Sequence, residues 1–486
     1  MEPIEKYPLY PIVNPGSIAF FGASNRFTAM GTNQLNSMKL LGFEGPIYPV
    51  HPKEERVLDF KAYRSVLDLP EIPDLAVMVL PTPVVPETLE QCGRKGIRQA
   101  IIVSGGFKEM GGQGLELERK LTAIAAKYGI RFLGPNCLGV TNPYHKFNTT
   151  FLPFTGRSGF IGFASQSGSF ITQMFDYLAE YGLGFSTAIS VGNEADLDLV
   201  DCLEYLAACP HTKVIGLYIE AIRRGRAFME AARRISRHKP VVAYYVGGSE
   251  AGKRAGLSHT GALAGPDRLY EGVFRQSGII RANSITELFD FCWVLGACPL
   301  PQGRRLIIQT HSGGPGAAAA DAIGRAGLNL ADFSKETMET IKPFVPLTGS
   351  MNNPLDLTFT RNPLDYFHEI PKALLADPKA DGLLLYLMLP DQQLKRDFGQ
   401  MGVAEDQIQD QLNQFVEQIA QTVIKLPGSH HKPVIGFSFR ARTDRLIRVL
   451  QDKGFPVLPS PERAARAMLA LVQSRYLGEK FAVPTG

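Results

Sequence analysis

SIAFFGASNRFTAMGTNQLNSMKLLGFEGPIYPV, residues 17–50, contains three successive patterns that together decide the fold class. SIAFFGAS (17–24) is an unbroken apolar run ending in small residues, as expected of a buried strand entering a tight turn. TNQLNSMKLLGF (32–43) reads as a helix that stops at Gly42, and PIYPV (46–50) as a second strand. A strand, a helix and a strand within 34 residues form a crossover unit, which builds a parallel sheet.

The pattern continues outward. LAVMVL (75–80) is a third strand, broken at Pro81; residues 83–97 form a helix with Gly96 near its end; QAIIVSGG (99–106) is a fourth strand. A helix over 113–128 and a strand at IRFLG (130–134) complete a Rossmann-like domain over 1–150, with its boundary near 143–158. The next two regions look like copies of each other. FIGFASQSGSFITQMFDYLAEYGLGF (160–185) matches RLIIQTHSGGPGAAAADAIGRAGLNL (305–330) in its strand, Ser-Gly turn, helix and Gly-Leu exit. VIGLYIEAI (214–222) matches GLLLYLMLP (382–390), and KPVVAYYVGG (239–248) matches KPVIGFSFRA (432–441). The expected architecture is therefore α/β throughout: the Rossmann-like domain, then two flavodoxin-like domains over 151–298 and 299–486.

The alignment of the copies sets Glu220 opposite Met388, and the glycine-rich stretch AGKRAGLSHTGALAG (251–265), with His259 at its centre, has no counterpart after Phe437. Chemistry is expected in the middle domain and scaffolding in the last.

Composition narrows the function classes. A formal net charge of +4 over 486 residues, with no interleaving of basic and aromatic residues, gives no footprint for nucleic acid. The Arg223-Arg224-Gly225-Arg226 run reads as a solvated helix start. Apolar runs such as 382–389 have strand length, so no membrane span is expected, and the N-terminus has no signal-peptide core. The six cysteines (92, 137, 202, 209, 292 and 298) lack metal or disulfide spacing, which points to a reducing cytoplasm and no metal site.

Several segments fall where open α/β sheets bind ligands, at the carboxyl ends of strands. The turn Gly22-Ala23-Ser24 lacks a complete G-x-G-x-x-G, and the second strand ends in PVHPK, with Lys53 where a nicotinamide dinucleotide site would carry an acid. A cation there suits a phosphate, as in coenzyme A, and is equally compatible with a lysine facing solvent. GPNCLG (134–139) presents Asn136 and Cys137 at another such turn. SQSGS (165–169) sits at a helix start, either as an anion site made of free N–H groups or as a simple cap. Glu220 interrupts an apolar strand, where it can orient a histidine Nδ1–H or pair with Arg223 or Arg224.

Taken in order, SIAFFGAS, GFEGPIYPVHPK, SGGFKE, GPNCLG, SQSGS, SVGNEADLD, YIEAI, SHTGALAG and NNPLDL resemble the α subunit of ADP-forming acyl-CoA synthetases, relatives of succinyl-CoA synthetase, over nearly the whole chain. The resemblance implies a phosphorylated His259, oriented by Glu220, and a receiving helix start at Ser167, Gly168 and Ser169. It implies coenzyme A contacts at Gly22, Ala23, Ser24, Lys53, Pro81, Ser104, Asn136 and Cys137. His51 is a departure, since relatives commonly have Asn before Pro-Lys. The sequence ends at Gly486 without an ATP-grasp module, so an ATP-grasp β subunit carrying Mg²⁺ and ADP or ATP is expected, in an α₂β₂ assembly acting on a small carboxylic acid, phosphate and coenzyme A. The rival readings are a CoA-sensing regulatory protein without turnover and an NAD(P)-dependent dehydrogenase; the first has no use for Glu220 and His259, and the broken glycine motif and Lys53 speak against the second.

Overall fold

The computed structural model describes residues 2–252, 265–358, 362–440 and 442–480. The first sheet has five parallel strands in the spatial order Ile47–Val50, Ile18–Phe21, Leu75–Met78, Gln99–Ile102, Arg131–Leu133. Chain direction across the sheet reverses beside Ile18–Phe21, which opens a crevice at the carboxyl ends of this strand and Leu75–Met78. The helix expected from residue 32 begins two residues earlier, at Met30, and ends at Gly42, which takes φ 85°. The next helix, Val85–Lys95, ends at Gly96 with φ 108°. Both glycines sit in the left-handed region that closes a helix without a Cβ clash.

The second sheet has seven strands in the order Ile280–Ala282, Val241–Tyr245, Val214–Ile219, Ile161–Ser165, Phe185–Ser190, Val140–Asn142, Phe147–Asn148. The first five run parallel, and Val140–Asn142 and Phe147–Asn148 add an antiparallel hairpin drawn from chain preceding residue 150. One hydrophobic cluster continues from Ile18, Phe20 and Val77 of the first sheet to Ile189, Ile215 and Leu217 of the second. Residues 1–179 and 183–284 accordingly form one compact unit.

The other unit comprises residues 180–182 and 285–486. Its sheet orders Asn329–Leu330, Arg305–Thr310, Gly382–Tyr386, Val434–Phe437 and Val457–Leu458, with Leu355–Asp356 also on Arg305–Thr310. Long helices at Glu405–His430 and Pro461–Lys480 belong to it, and no helix among the described residues is long and apolar enough to cross a membrane. The repeat is visible at the level of single hydrogen bonds. Ser165 Oγ accepts the Ser167 N–H at 3.1 Å and donates to the Ser167 carbonyl at 2.7 Å. Thr310 Oγ1 does the same with Ser312, at 3.2 and 3.0 Å.

The arginine run does start a helix, Gly225–Ile235, and its arginines are exposed as its sequence context suggested, but Arg224 is also held by acids. Its guanidinium grips both oxygens of Asp198 at 2.5 Å and reaches Asp201 at 2.7 Å. Asp198 is itself the N-cap of helix Leu199–Ala208, in a capping box with Asp201. Asp198→Ala removes a cap and the anchor of a half-exposed arginine together, so a destabilisation of about 2–3 kcal/mol is expected, read as a lower urea midpoint with unchanged slope.

Candidate functional site

A cleft of 630 Å³ opens within the first unit. One wall is the carboxyl edge of the first sheet: Val79, Leu80, Ser104, Gly105, Asn136 and Cys137. The facing wall is Gln166, Gly168 and Ser169 at the start of helix Gly168–Glu180, together with Gly192 and Asn193, while Met30 and Phe151 flank it.

Local chemistry explains each placement. Ser104 Oγ donates to the Leu80 carbonyl at 2.6 Å and accepts its N–H at 3.1 Å, tying two strand ends side by side. Asn136 adopts φ 58°, a left-handed conformation that Asn tolerates, and its N–H donates to the Ser104 carbonyl at 2.9 Å. The Cys137 thiol is buried and donates to the Ile102 carbonyl at 3.4 Å; burial pushes its pKa up to about 12. Gly22 has φ 91°, and a Cβ there would collide with the Val79 carbonyl. That close approach at the switch point demands glycine.

Of the residues expected to contact coenzyme A, the cleft takes in Ser104, Asn136 and Cys137. Gly22, Ala23, Ser24, Lys53 and Pro81 do not line it. Ala23 is buried, and Ser24 is fastened to the following helix: its N–H donates to Thr32 Oγ1 at 3.0 Å and its carbonyl accepts from the same hydroxyl at 2.9 Å. Lys53 and Pro81 are exposed. His51 Nδ1 accepts the N–H groups of Lys53 and Glu54 at 3.2 and 2.9 Å, so this departure from the expected Asn shapes the loop that carries Lys53. The open cleft and the close-packed glycine turn at the switch point leave room for an extended ligand.

On the opposite wall, Gly168 and Ser169 line the cleft. The N–H of Ser167 is committed to Ser165 Oγ, so the helix-start donors that face the cleft belong to the residues after it. Glu220 follows strand Val214–Ile219. Gln166 Oε1 accepts the N–H groups of Glu220 and Ala221 at 2.6 and 3.0 Å, and Gln166 Nε2 donates to the Ala221 carbonyl at 2.7 Å. Arg224, weighed as a structural partner for Glu220, is taken by Asp198 and Asp201. Burial, with the Glu220 charge behind it, raises the Tyr218 hydroxyl to about 12.

His259 lies outside the described residues. The chain leading to it leaves strand Val241–Tyr245, and the chain returning from it is fixed close by: the Tyr245 hydroxyl donates to the Gly265 carbonyl at 2.8 Å. Tyr270 stacks on Tyr245 with ring centroids 3.6 Å apart, and its hydroxyl accepts the Ile222 N–H at 3.3 Å, two residues from Glu220. Among the described residues no group of three His, Cys, Asp or Glu side chains could hold a metal ion.

The sequence alone gives the individual residues of SVGNEADLD (190–198) no role. The structure places Asn193 in the cleft and buries Glu194 behind it, with Glu194 Oε2 accepting from Gln166 Nε2 at 2.9 Å. The available signal was an uninterrupted acid and amide directly after an apolar strand.

Fold and site together define a CoA-handling α/β protein of the ligase type. Residues 16–143 match the model of a CoA-binding domain, and residues 158–295 that of the succinyl-CoA ligase-like flavodoxin domain. The chain belongs to the family of ADP-forming acetate–CoA ligase α subunits. It is 38% identical over 461 residues to the α subunit of acetate–CoA ligase (ADP-forming) II of Pyrococcus furiosus, covering 95% of this chain and 96% of that one. It is 37% identical to acetate–CoA ligase (ADP-forming) I of Archaeoglobus fulgidus, covering 94% of this chain and 62% of that longer one. Among solved structures, the dinucleotide-forming acetyl-coenzyme A synthetase 1 of Ca. Korarchaeum cryptofilum, in complex with phosphate and ADP, superposes with a TM-score of 0.84 at 32% identity, covering 98% of this chain and 99% of that one.

With its pKa near 12, the Cys137 thiol is ionised in only about one molecule in ten thousand at pH 8. Iodoacetamide at that pH is expected to leave the peptide carrying Cys137 unmodified in the native protein and to alkylate it fully in urea, as read by mass spectrometry.

Proposed function

We propose that this chain is the α subunit of an acid–thiol ligase that interconverts acyl-CoA, ADP and phosphate with a carboxylic acid, ATP and coenzyme A, with acetate as the acid. The observation that carries the reading is the shared cleft: Ser104 and Asn136, on the coenzyme A side, face the helix-start donors of Gly168 and Ser169 across one cavity. A thioester and a phosphate can meet there.

The chemistry proceeds in three displacements. A phosphate oxygen attacks the thioester carbonyl, the C–S bond breaks, and coenzyme A leaves as its thiolate, giving an acyl phosphate. Nε2 of His259 then attacks phosphorus, the P–O bond to the acyl group breaks, and the carboxylate leaves. The phosphoryl group passes from His259 to ADP. Phosphoryl transfer draws its rate from positioning and charge stabilisation. The N–H groups at Gly168 and Ser169, following Ser167, supply charge stabilisation through the helix end. The Glu220 carboxylate holds Nδ1–H and stabilises the imidazolium. Gly22, Ala23, Ser24, Lys53 and Pro81 would hold the nucleotide end of coenzyme A outside the cleft, and Ser104, Asn136 and Cys137 its thiol end.

Mg²⁺ and ADP or ATP are assigned to an ATP-grasp β subunit in an α₂β₂ assembly, consistent with the relatives named as separate α subunits and with those that are longer single chains. The working division is 1–150 for coenzyme A, 151–298 for the phosphohistidine, and 299–486 as scaffold, in the cytoplasm.

The test uses the chain with its ATP-grasp partner, Mg²⁺ and γ-labelled ATP. Wild type is expected to acquire acid-labile, base-stable label, and His259→Ala none; equal labelling of the two, or no labelling of wild type, overturns the proposal. Calorimetry on this chain should show coenzyme A binding more tightly than NADH, and the reverse order would defeat the assignment of the first domain.

A further inference from the structure

The buried segment 191–198 connects the two walls of the cleft. Three of its N–H groups run along the first domain: Asn193 to the Pro135 carbonyl at 2.8 Å, Ala195 to Gly134 at 3.0 Å, and Leu197 to Phe132 at 3.3 Å. Asp196 adds bonds to Arg131 Nε and the Phe132 N–H, both at 2.9 Å. The Asn193 amide donates to Glu109 at 2.6 Å and Glu118 at 3.0 Å. One face of the segment is therefore fixed to the turn that presents Asn136.

Its other face carries Glu194, held at φ 54° and only 3% exposed. Glu194 Oε1 accepts the Leu199 N–H at 3.0 Å, and Oε2 accepts from Gln166 Nε2 at 2.9 Å. Gln166 in turn makes three bonds to the backbone of Glu220 and Ala221. With both of its donors and both of its acceptor positions in use, the Gln166 amide can take only one orientation.

We propose that Glu194 is a positioning residue for phosphoryl transfer, acting through Gln166 to hold Glu220 and the helix start at Gly168 in register with the coenzyme A turn. The inference rests on the function proposed above. Both partners of Glu194 are donors, which the carboxylate accepts with its full charge; a proton on either oxygen removes the charge that strengthens both bonds and adds a donor where donors already converge. Glu194 titrates at about 7, raised first by burial and next by Asp198, and lowered by the Gln166 and Leu199 bonds and by Arg223. Lys108, Cys202 and Tyr270 are the other ionisable groups that sense its charge. The linkage then has a definite sign: positioning holds above pH 7 and weakens as pH falls through it.

Glu194→Gln and Gln166→Glu test this in the complete enzyme. Glu194→Gln should lower kcat about tenfold or more, as expected for losing one charge-assisted hydrogen bond behind a catalytic group, with KM for coenzyme A changed less than about twofold. Wild-type kcat should fall as pH drops from 8 to 6 more steeply than that of Glu194→Gln, whose remaining pH dependence is that of the histidine nucleophile alone. Gln166→Glu sets two carboxylates face to face, which restores the contact only with a shared proton, so its kcat should rise as pH drops. Amide hydrogen exchange in the 214–222 peptide of this chain, measured at pH 8, should quicken in Glu194→Gln while coenzyme A affinity by calorimetry is retained. Wild-type kcat, pH profile and exchange in Glu194→Gln would overturn the inference, as would a Gln166→Glu profile of wild-type sign. A wild type that never labels on histidine overturns the function proposed above instead, and the exchange comparison still judges the staple. If Glu194→Gln fails to fold, the sign of the Gln166→Glu profile decides alone.

Discussion

The carboxyl edge of the middle sheet depends on one side-chain amide. Parallel strands end without a partner for their last N–H and carbonyl groups, and buried backbone groups of that kind must be satisfied. Gln166 meets this requirement for strand Val214–Ile219, where it accepts two N–H groups and donates to a carbonyl just past the strand end. Its neighbour Ser165 closes the turn locally through Ser167. The two devices fix the turn from both sides, and the helix that begins at Gly168 inherits that orientation. A helix N-terminus is useful to a transferred phosphoryl group only if its direction is set before the group arrives.

The last domain repeats part of this turn. His311 occupies the position of Gln166 in the repeat, and its Nε2 is buried without a hydrogen-bond partner. Its ring stacks on Tyr366 at a centroid separation of 3.5 Å, and burial lowers its pKa to about 4, which keeps the imidazole neutral. The serine or threonine turn is also kept, through Thr310 and Ser312. The serine or threonine turn is therefore architecture common to both copies, whereas the bonds from Gln166 to the backbone of Glu220 and Ala221 belong to the middle domain.

The regular elements were legible from the chain because their signals are local. Apolar runs of four to six residues and a glycine closing each of the first two long helices need no knowledge of what lies across the fold. The cleft was less legible, since its residues span Met30 to Asn193 and come together only through sheet order. Segment 191–198 carries no periodicity, because its N–H groups pair with a turn some sixty residues earlier. The hairpin of Val140–Asn142 and Phe147–Asn148 reads as loop, being short and polar, yet it is buried through side-chain pairing: Thr141 Oγ1 donates to Asn148 Oδ1 at 2.9 Å and Asn142 Nδ2 to Asn14 Oδ1 at 3.0 Å. The acidic partners of the exposed Arg224 were not legible, since Asp198 and Asp201 precede it by more than twenty residues.

Glu194 shows why the least legible residue is the most informative. Its pKa in the folded chain, about 7, lies above the ordinary value of 4.5. Such a group favours folding most below the unfolded value, and that contribution disappears as pH rises through the folded one. Holding the carboxylate ionised above pH 7 thus costs the fold about 3 kcal/mol relative to an unperturbed acid. A methionine of similar size would avoid that cost, as the second copy does where Met388 stands opposite Glu220. A buried acid kept at the junction of two walls, against the interest of stability, marks the place where orientation matters more to this protein than folding energy.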